Sequence, residues 1–251
     1  MKGSVKVALG FSTPLLLFGV VFFLLMRFFT RDQLVGVTDE PPIQVIYTSS
    51  EIPLDPSSEF WLDIDQTNVH LWPQNARVPY GTEERDLSVR GVYNDREIAF
   101  HLEFDDDKED REGPLNRDAC AVFFGPANSP ATAQMMAHGS TGNLWHWVAD
   151  EDALSRQEGG DPTQAVLELF TTGPGTQTPL EQQTVLGWGE YSGTGWSVVI
   201  KRQLDSVQDD AVSVEPDSEL IISFAVWDGS KVEALARKSI SIVTNLVFES
   251  N

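Results

Sequence analysis

The feature that most constrains the fold is a series of short apolar runs, rich in Val, Ile, Phe and Trp, that turn residues separate. We predict ten strands: Ile43–Thr48, Leu87–Tyr93, Glu97–Phe104, Ala119–Phe124, Leu144–Val148, Ala165–Phe170, Thr184–Tyr191, Trp196–Lys201, Leu220–Trp227 and Ser239–Val247. No long stretch after residue 36 has the periodicity of a helix. About ten strands in roughly 210 residues predict an all-β domain, either a β-sandwich or a barrel.

The N-terminus carries an uncharged run, Val7–Met26, that is long enough to span a bilayer as a helix. No small-residue cleavage motif follows it, so we expect an uncleaved anchor. Basic residues flank the run on both sides and do not fix its orientation. We therefore expect residues 1–36 to form a membrane anchor and linker, with a helix over about residues 7–28. Residues 37–251 would form the β domain, on the extracytoplasmic face.

The chain is strongly acidic, with a formal net charge of −21. This charge argues against nucleic acid and anionic membrane surfaces as partners. Acidic residues occur throughout from Asp39 to Glu249, which favours a saline environment over one acidic docking face. The single cysteine, Cys120, excludes an internal disulfide, a cysteine-only metal site and covalent haem attachment through a CxxCH motif.

Candidate ligands for a soft metal lie in Asp118–Asp150, which contains two methionines, two histidines and two tryptophans after an apolar strand. A thioether sulfur favours reduced iron or copper. Met135 and Met136 are adjacent, so only one of them faces a given pocket if the segment is extended. His138 and His146 are alternative ligands, and core packing is the plain alternative for all four side chains.

A lysine closes the apolar strand within Gly193–Leu204. Alternation puts Trp196, Val198 and Ile200 on one face of the strand and leaves Lys201 on the other. Lys201 is either a solvated lysine on an outer face or a desolvated amine. Burial lowers the pKa of a lysine, and a neutral amine is able to ligate a metal.

The common calcium-binding and enzyme motifs are incomplete or absent in this sequence. The acidic run Asp105–Glu112 lacks the glycine that an EF-hand needs at its sixth position, where Asp110 stands, and we expect a solvated charged turn. The sequence contains no GxSxG, HExxH, P-loop or GxGxxG motif and no nucleophile–base arrangement. We therefore expect no catalytic activity of its own.

Several segments, in order along the chain, resemble the haem b-binding γ subunits that accompany molybdenum enzymes of the dimethyl sulfoxide reductase superfamily. That family serves ethylbenzene and dimethyl sulfide dehydrogenases, selenate and chlorate reductases, and nitrite or nitrate oxidoreductases. The matching segments are Leu54–Trp61, Leu71–Gln74, Val89–Asp106, Asp118–Gly125, Met135–Asp150, Gly195–Leu204, Phe224–Ser230 and Arg237–Ser241. They cover nearly the whole domain, and their order is more specific than any one of them.

The resemblance implies a β-sandwich that holds one b-type haem between a methionine and a lysine. It assigns the iron ligands to Met136, with Met135 as the register alternative, and to Lys201. Trp145 and Trp147 would wall the pocket. Two strong axial ligands leave no open iron position, so the implied role is electron transfer rather than substrate chemistry.

The resemblance also implies an iron–sulfur β subunit and a molybdenum-cofactor α subunit as partners. The N-terminal helix would hold this complex at the membrane, near a membrane cytochrome or a quinone-linked protein. The chain departs from the family at Ala137, where a glycine is usual, and at Val243, where tryptophan is frequent.

Two other functions fit a β-sandwich. Carbohydrate-binding modules share the architecture and stack sugars on exposed tryptophans, for which Trp72, Trp188 and Trp196 are candidates. A haem-less subunit that acts in assembly is the second alternative. A haem spectrum, or burial of the tryptophans, discriminates between these functions and electron transfer.

Overall fold

The computed structural model describes residues 40–74, 83–127, 141–157, 159–173, 175–205, 208 and 211–249. The strands in these ranges are β1 Ile43–Tyr47, β2 Thr67–Gln74, β3 Arg85–Tyr93, β4 Glu97–Asp105, β5 Arg111–Glu112, β6 Asn116–Arg117, β7 Ala119–Pro126, β8 Gly142–Val148, β9 Val166–Thr171, β10 Thr178–Pro179, β11 Leu186–Tyr191, β12 Gly195–Gln203, β13 Leu220–Trp227, β14 Lys238–Ile240 and β15 Thr244–Phe248. One α-helix, α1, spans Ala149–Ser155, and three 3₁₀ turns span Glu59–Asp63, Pro162–Ala165 and Gly229–Lys231.

The main sheet runs in the order β10-β9-β8-β7-β13-β14-β2-β3-β4-β12-β11. Most neighbours are antiparallel, and the long pairs β12–β4, β3–β4 and β13–β7 run in continuous register. β1 pairs in parallel with both β3 and β15, and β15 pairs with β13. These pairings connect one layer, built on β7, β8, β9 and β13, to a second layer of β3, β4, β11 and β12.

The main core lies between these two layers. The rings of Phe100 from β4 and Phe124 from β7 have centroids 5.6 Å apart, and those of Trp147 from β8 and Trp196 from β12 are 5.0 Å apart. Alternation along β12 is as predicted, since Trp196, Val198 and Ile200 enter this core. The all-β sandwich is therefore confirmed.

The outer faces of both layers are also apolar. A second cluster covers the outer face of β7, β8 and β13, and includes Ala121, Leu144 and Trp227. A third covers the outer face of β12, where Val199 packs against Ile52 and Trp61. A strand with two buried faces explains why Leu220–Trp227 is apolar at every position but Ser223 and shows no alternation.

Several predicted boundaries differ from the structure. The run Ser239–Val247 is two strands, β14 and β15, and Thr67–Gln74 is a strand that was not predicted. The acidic run Asp105–Glu112 is not wholly solvated, because Asp106 and Asp110 are buried. A hydrogen bond from the Asp110 backbone N–H to Asp118 Oδ2, 2.7 Å long, holds this turn against the domain.

The predicted anchor, residues 1–36 with its helix over about residues 7–28, lies outside the described residues. Within the ranges that are described, no helix has both the length and the apolar character needed to cross a membrane.

Candidate functional site

An apolar cavity of about 490 Å³ lies on the outer face of the layer that contains β7, β8 and β9. Leu144, His146 and Val148 of β8 line it, because they alternate with residues that face the core. Further walls come from Ala119, Leu169, Trp227, Leu235 and Lys238. Its size is within the range of about 300–1,000 Å³ that is typical of ligand pockets.

Small side chains make room for this cavity. Ala121 of β7 pairs with His146 of β8 on one side and with Ala225 of β13 on the other. Ala119 precedes them on the same face of β7 and lines the cavity. A row of alanines beside His146 and Trp227 leaves a depression that larger side chains would fill.

Lys238 is the most unusual side chain of the cavity. It is only 2% exposed, and its Nζ lies 5.0 Å from the centroid of the Trp227 ring. Its ammonium donates to the carbonyl oxygen of Leu235 at 3.4 Å and has no carboxylate partner among the described residues. Burial lowers the pKa of Lys238 to about 8. A neutral amine with a free lone pair is thus accessible close to physiological pH.

The other lysines of the described residues are in ion pairs. Lys108 pairs with Asp110, and Lys231 pairs with Glu83 and Asp228. This contrast makes Lys238 the lysine whose environment most favours its neutral form.

Lys201, the predicted iron ligand, lies on the outer face of β12. Its Nζ donates to the carbonyl oxygen of Ile52 at 2.8 Å and lies 3.2 Å from Glu97 Oε2. Lys201 does not line the cavity, so the structure does not bring it together with His146 or Lys238.

His146, which the sequence offered as an alternative ligand, lines the cavity beside Trp227, with ring centroids 4.8 Å apart. Burial, together with the positive charges of Arg117 and Lys238, lowers its pKa to about 3. The imidazole is therefore neutral at physiological pH and retains a nitrogen lone pair.

The two tryptophans predicted to wall the pocket alternate with His146 and face the opposite way. Trp145 and Trp147 are fully buried in the main core. Trp145 packs on Phe124 and lies under the Arg202 guanidinium, 5.0 Å from the ring centroid. They support β8 from the side opposite to the cavity.

Met135, Met136 and His138 lie outside the described residues. In sequence they fall between β7 and β8, the two strands that contribute Ala119 and His146 to the cavity.

Lys238 was not singled out from the sequence, although it belongs to the segment Arg237–Ser241 that carried part of the resemblance. Lys238 begins the short strand β14, in which all three residues are buried, but the segment carries no apolar pattern that would predict this. Its burial comes from the opposed Trp227 and from Leu235, and the sequence does not bring these together.

Two reductase subunits are among the known proteins that this chain resembles in sequence. A respiratory nitrate reductase haem subunit, so named, of Haloferax mediterranei is 27% identical over 210 residues, which cover 81% of this chain and 71% of that protein. The chlorate reductase γ subunit of Ideonella dechloratans is 28% identical over 207 residues, which cover 80% of this chain and 81% of that protein. The resemblance to the γ-subunit family is confirmed. The sequence matches no protein-family model.

The fold has a neighbour among solved structures. A protein of Bacteroides uniformis, described as carbohydrate-binding, superposes with a TM-score of 0.51 at 13% identity and covers 83% of this chain and 99% of that chain. At this identity the likeness shows a shared β-sandwich fold and carries no information about function.

Proposed function

We propose that this chain is a haem-binding electron-transfer subunit of a nitrate- or chlorate-reductase type complex, and that the haem is b-type and occupies the cavity beside Lys238. The named functions of the homologous proteins support the haem and the complex. The observation that carries the location is the desolvated Lys238 amine, which stands in an apolar cavity beside a neutral imidazole.

The residues of the cavity fit a haem. Leu144, Val148 and Leu169 supply apolar walls, and Trp227 supplies an aromatic one. Gln74 also lines the cavity, and its Oε1 is buried without a hydrogen-bond donor among the described residues. A bound group with a polar edge would satisfy that oxygen, which otherwise carries a desolvation cost.

A bound haem would supply one-electron chemistry at its iron. In our proposal Lys238 Nζ would be the nitrogen ligand of the haem, and Met136, or Met135 in the other register, would supply the sulfur. The apolar cavity walls would keep water from a bound haem, and the burial of Lys238 favours its neutral amine by lowering its pKa. The assignment of Lys201 as the lysine ligand stays a sequence-based prediction, in competition with Lys238.

We further propose an iron–sulfur β subunit and a molybdenum-cofactor α subunit as partners. We also retain the proposals that residues 1–36 anchor the chain, that the domain is extracytoplasmic, and that a membrane cytochrome or a quinone-linked protein is a neighbour. The homologous proteins are subunits of reductases, which supports the presence of catalytic subunits.

The first experiment is to purify the full chain from haem-replete cells and to record oxidised and dithionite-reduced visible spectra. We expect sharp α and β bands of a low-spin b-type haem on reduction. A colourless, well-folded chain that also refuses added haemin would contradict the proposal.

Two lysine substitutions then locate the ligand. Lys238→Met should shift or broaden the reduced bands and change the reduction potential, because it replaces a nitrogen ligand. Lys201→Met is the matched control, and it should leave the bands in place because Lys201 already has Ile52 and Glu97 as partners. The opposite pattern would assign the iron to Lys201. Met136→Ala and Met135→Ala distinguish the two registers in the same way.

Carbohydrate binding has only the shared architecture in its favour. Of the three tryptophans named for sugar stacking, Trp196 is 2% exposed and donates from Nε1 to Asp118. Trp188 is half-buried with the Arg156 guanidinium over its ring at 5.2 Å, and Trp72 alone is exposed. These three therefore do not form an open stacking surface.

A further inference from the structure

Three buried carboxylates converge at one end of the sandwich, outside the cavity. Asp106 directly follows β4, Asp118 directly precedes β7, and Asp228 directly follows β13. One carboxylate oxygen from each lies within 4.8 Å of the others, and the residues are only 4%, 0% and 3% exposed. Three sequence-distant acids are thus held together away from solvent.

Among the described residues, Asp228 is the only one of these three carboxylates that forms an ion pair. Lys231 Nζ lies 3.0 Å from Asp228, and the more distant Arg85 is shared with Glu233. Within the described part of the chain, Asp106 and Asp118 form no ion pair. Buried charges are normally paired, neutralised by protonation or bound to a metal, so a cation here would balance up to two negative charges.

Unused oxygen atoms mark the same place. Asp106 Oδ1 accepts from the Lys108 backbone N–H at 3.0 Å, but its Oδ2 is buried and accepts nothing from the described residues. Asp110 is a neighbour of the cluster, because its backbone N–H donates to Asp118; its Oδ2 is also buried without a donor among the described residues, although its Oδ1 pairs with Lys108. A buried oxygen without a donor costs free energy that a cation would recover.

Three hydrogen bonds hold the Asp118 carboxylate in place. Its Oδ2 accepts from Asp110 N–H and from Trp196 Nε1, and its Oδ1 accepts from Gly229 N–H at 2.9 Å. These three donors fix the orientation of the carboxylate without removing its charge. They leave about one of the four lone-pair sites of the carboxylate, on Oδ1, to accept a further partner.

We propose that Asp106, Asp118 and Asp228 bind one Ca²⁺ ion. The donors are all oxygen, which favours a hard cation over zinc or copper. Ca–O distances of about 2.3–2.6 Å place two ligands of one ion up to about 5.2 Å apart, in agreement with the observed spacing. The charge of the ion would balance that of Asp106 and Asp118. Because β4 belongs to one layer and β7 and β13 to the other, the ion would tie the two layers together.

The test uses the full chain, stripped with EGTA and then titrated with CaCl₂ by calorimetry and thermal unfolding. We expect one ion per chain. At a Ca²⁺ concentration about 100-fold above Kd, the Tm should rise by about 5–10 °C. MgCl₂ should give less than half of this rise, because Mg²⁺ demands a tighter octahedral site.

Asp106→Asn removes one ligand charge in a side chain of nearly the same shape, and we expect it to weaken Ca²⁺ binding at least tenfold. Its Tm without calcium should equal or exceed that of the unsubstituted chain, because a buried unpaired charge is gone. Asp107→Asn, at the exposed neighbour, is the matched control and should bind as before. An equal calcium response in Asp106→Asn and the unsubstituted chain, or an equal response to magnesium, would overturn the proposal. Neither result depends on haem.

Discussion

At the scale of single residues, the buried charges of Arg202 and Glu168 are matched to one another. Arg202 and Glu168 are 1% and 0% exposed at their side chains, and Arg202 Nη1 lies 2.7 Å from Glu168 Oε1. Arg202 Nη2 also donates to the Val212 carbonyl oxygen at 2.8 Å. Arg202, whose guanidinium lies over the Trp145 ring, therefore stabilises the core and does not line the cavity.

Removal of one member of this pair should be costly. We expect Arg202→Met to lower the free energy of unfolding by about 3–5 kcal/mol, because it leaves the Glu168 carboxylate buried and uncompensated. Urea unfolding measures this change. The double variant Arg202→Met/Glu168→Gln should recover a large part of the loss. If both single and double variants lose the same amount, packing rather than charge is responsible.

His101 makes stability depend on pH. It is 3% exposed, stacks on Trp61 with centroids 5.0 Å apart, and lies 2.7 Å from Ser197 Oγ through Nε2. Burial lowers its pKa from 6.5 to about 4, against an opposing effect of Glu103. The unfolded chain therefore binds a proton more readily than the folded one. Stability from this group is present above pH 6.5 and is lost as the pH falls toward 4.

The size of this effect is about 3 kcal/mol over that interval, from about 1.4 kcal/mol per pKa unit. Urea unfolding between pH 7.5 and 4.5 measures it as the difference between the unsubstituted chain and His101→Gln, whose slope should be smaller; the slope that stays includes that of His146, whose pKa is also lowered. A His101→Gln chain with an unchanged slope would place the dependence elsewhere.

At the scale of the elements, strand prediction succeeded where the apolar pattern alone decides. β13 was predicted with its observed bounds, and β3 and β4 within two residues. β2 was missed because Pro73 and several polar residues interrupt its pattern, and only Leu71 is fully buried. It exists because β3 and β14 pair with it on either side, which is a tertiary cause.

Glycines in β11 set the distance between the layers. A Cβ at Gly189 would lie 2.3 Å from Trp147 Cζ2, and one at Gly187 would lie 2.4 Å from Val166 Cγ2. β11 therefore approaches the opposite layer at van der Waals distance. This explains two glycines at alternate positions of a strand, where glycine is otherwise unfavourable.

Gly189→Ala should thus lower the free energy of unfolding by about 1–3 kcal/mol through overpacking. Thermal and urea unfolding measure the loss. Trp147→Phe in the same chain provides space for the new methyl group. The double variant should therefore lose less unfolding free energy than the sum of the two single losses, by more than about 0.5 kcal/mol. Purely additive losses would indicate that Gly189 matters through backbone conformation instead.

At the scale of the whole molecule, the architecture could be predicted and the cavity only in part. The sequence indicated His146 as an alternative ligand. It did not indicate that Trp145 and Trp147 point into the core, because this depends on which face of β8 packs against the second layer. Lys238 enters the cavity because β13 and β14 pair so that its amine meets Trp227. Such a contact joins segments that no local pattern relates.

The net charge of −21 also acts on the molecule as a whole. Exposed acids such as Glu51, Asp65 and Glu112 repel one another, and salt screens this repulsion over a Debye length of about 10 Å at 0.1 M and about 3 Å at 1 M. We expect the free energy of unfolding, measured with the uncharged denaturant urea in EGTA, to rise steadily between about 0.05 and 1 M KCl. Replacing these three exposed acids by their amides should reduce the slope and raise the stability at low salt. A stability that is flat or falls with KCl would show that the acidic surface is not a source of self-repulsion, and would favour the alternative of a local acidic face that meets a partner.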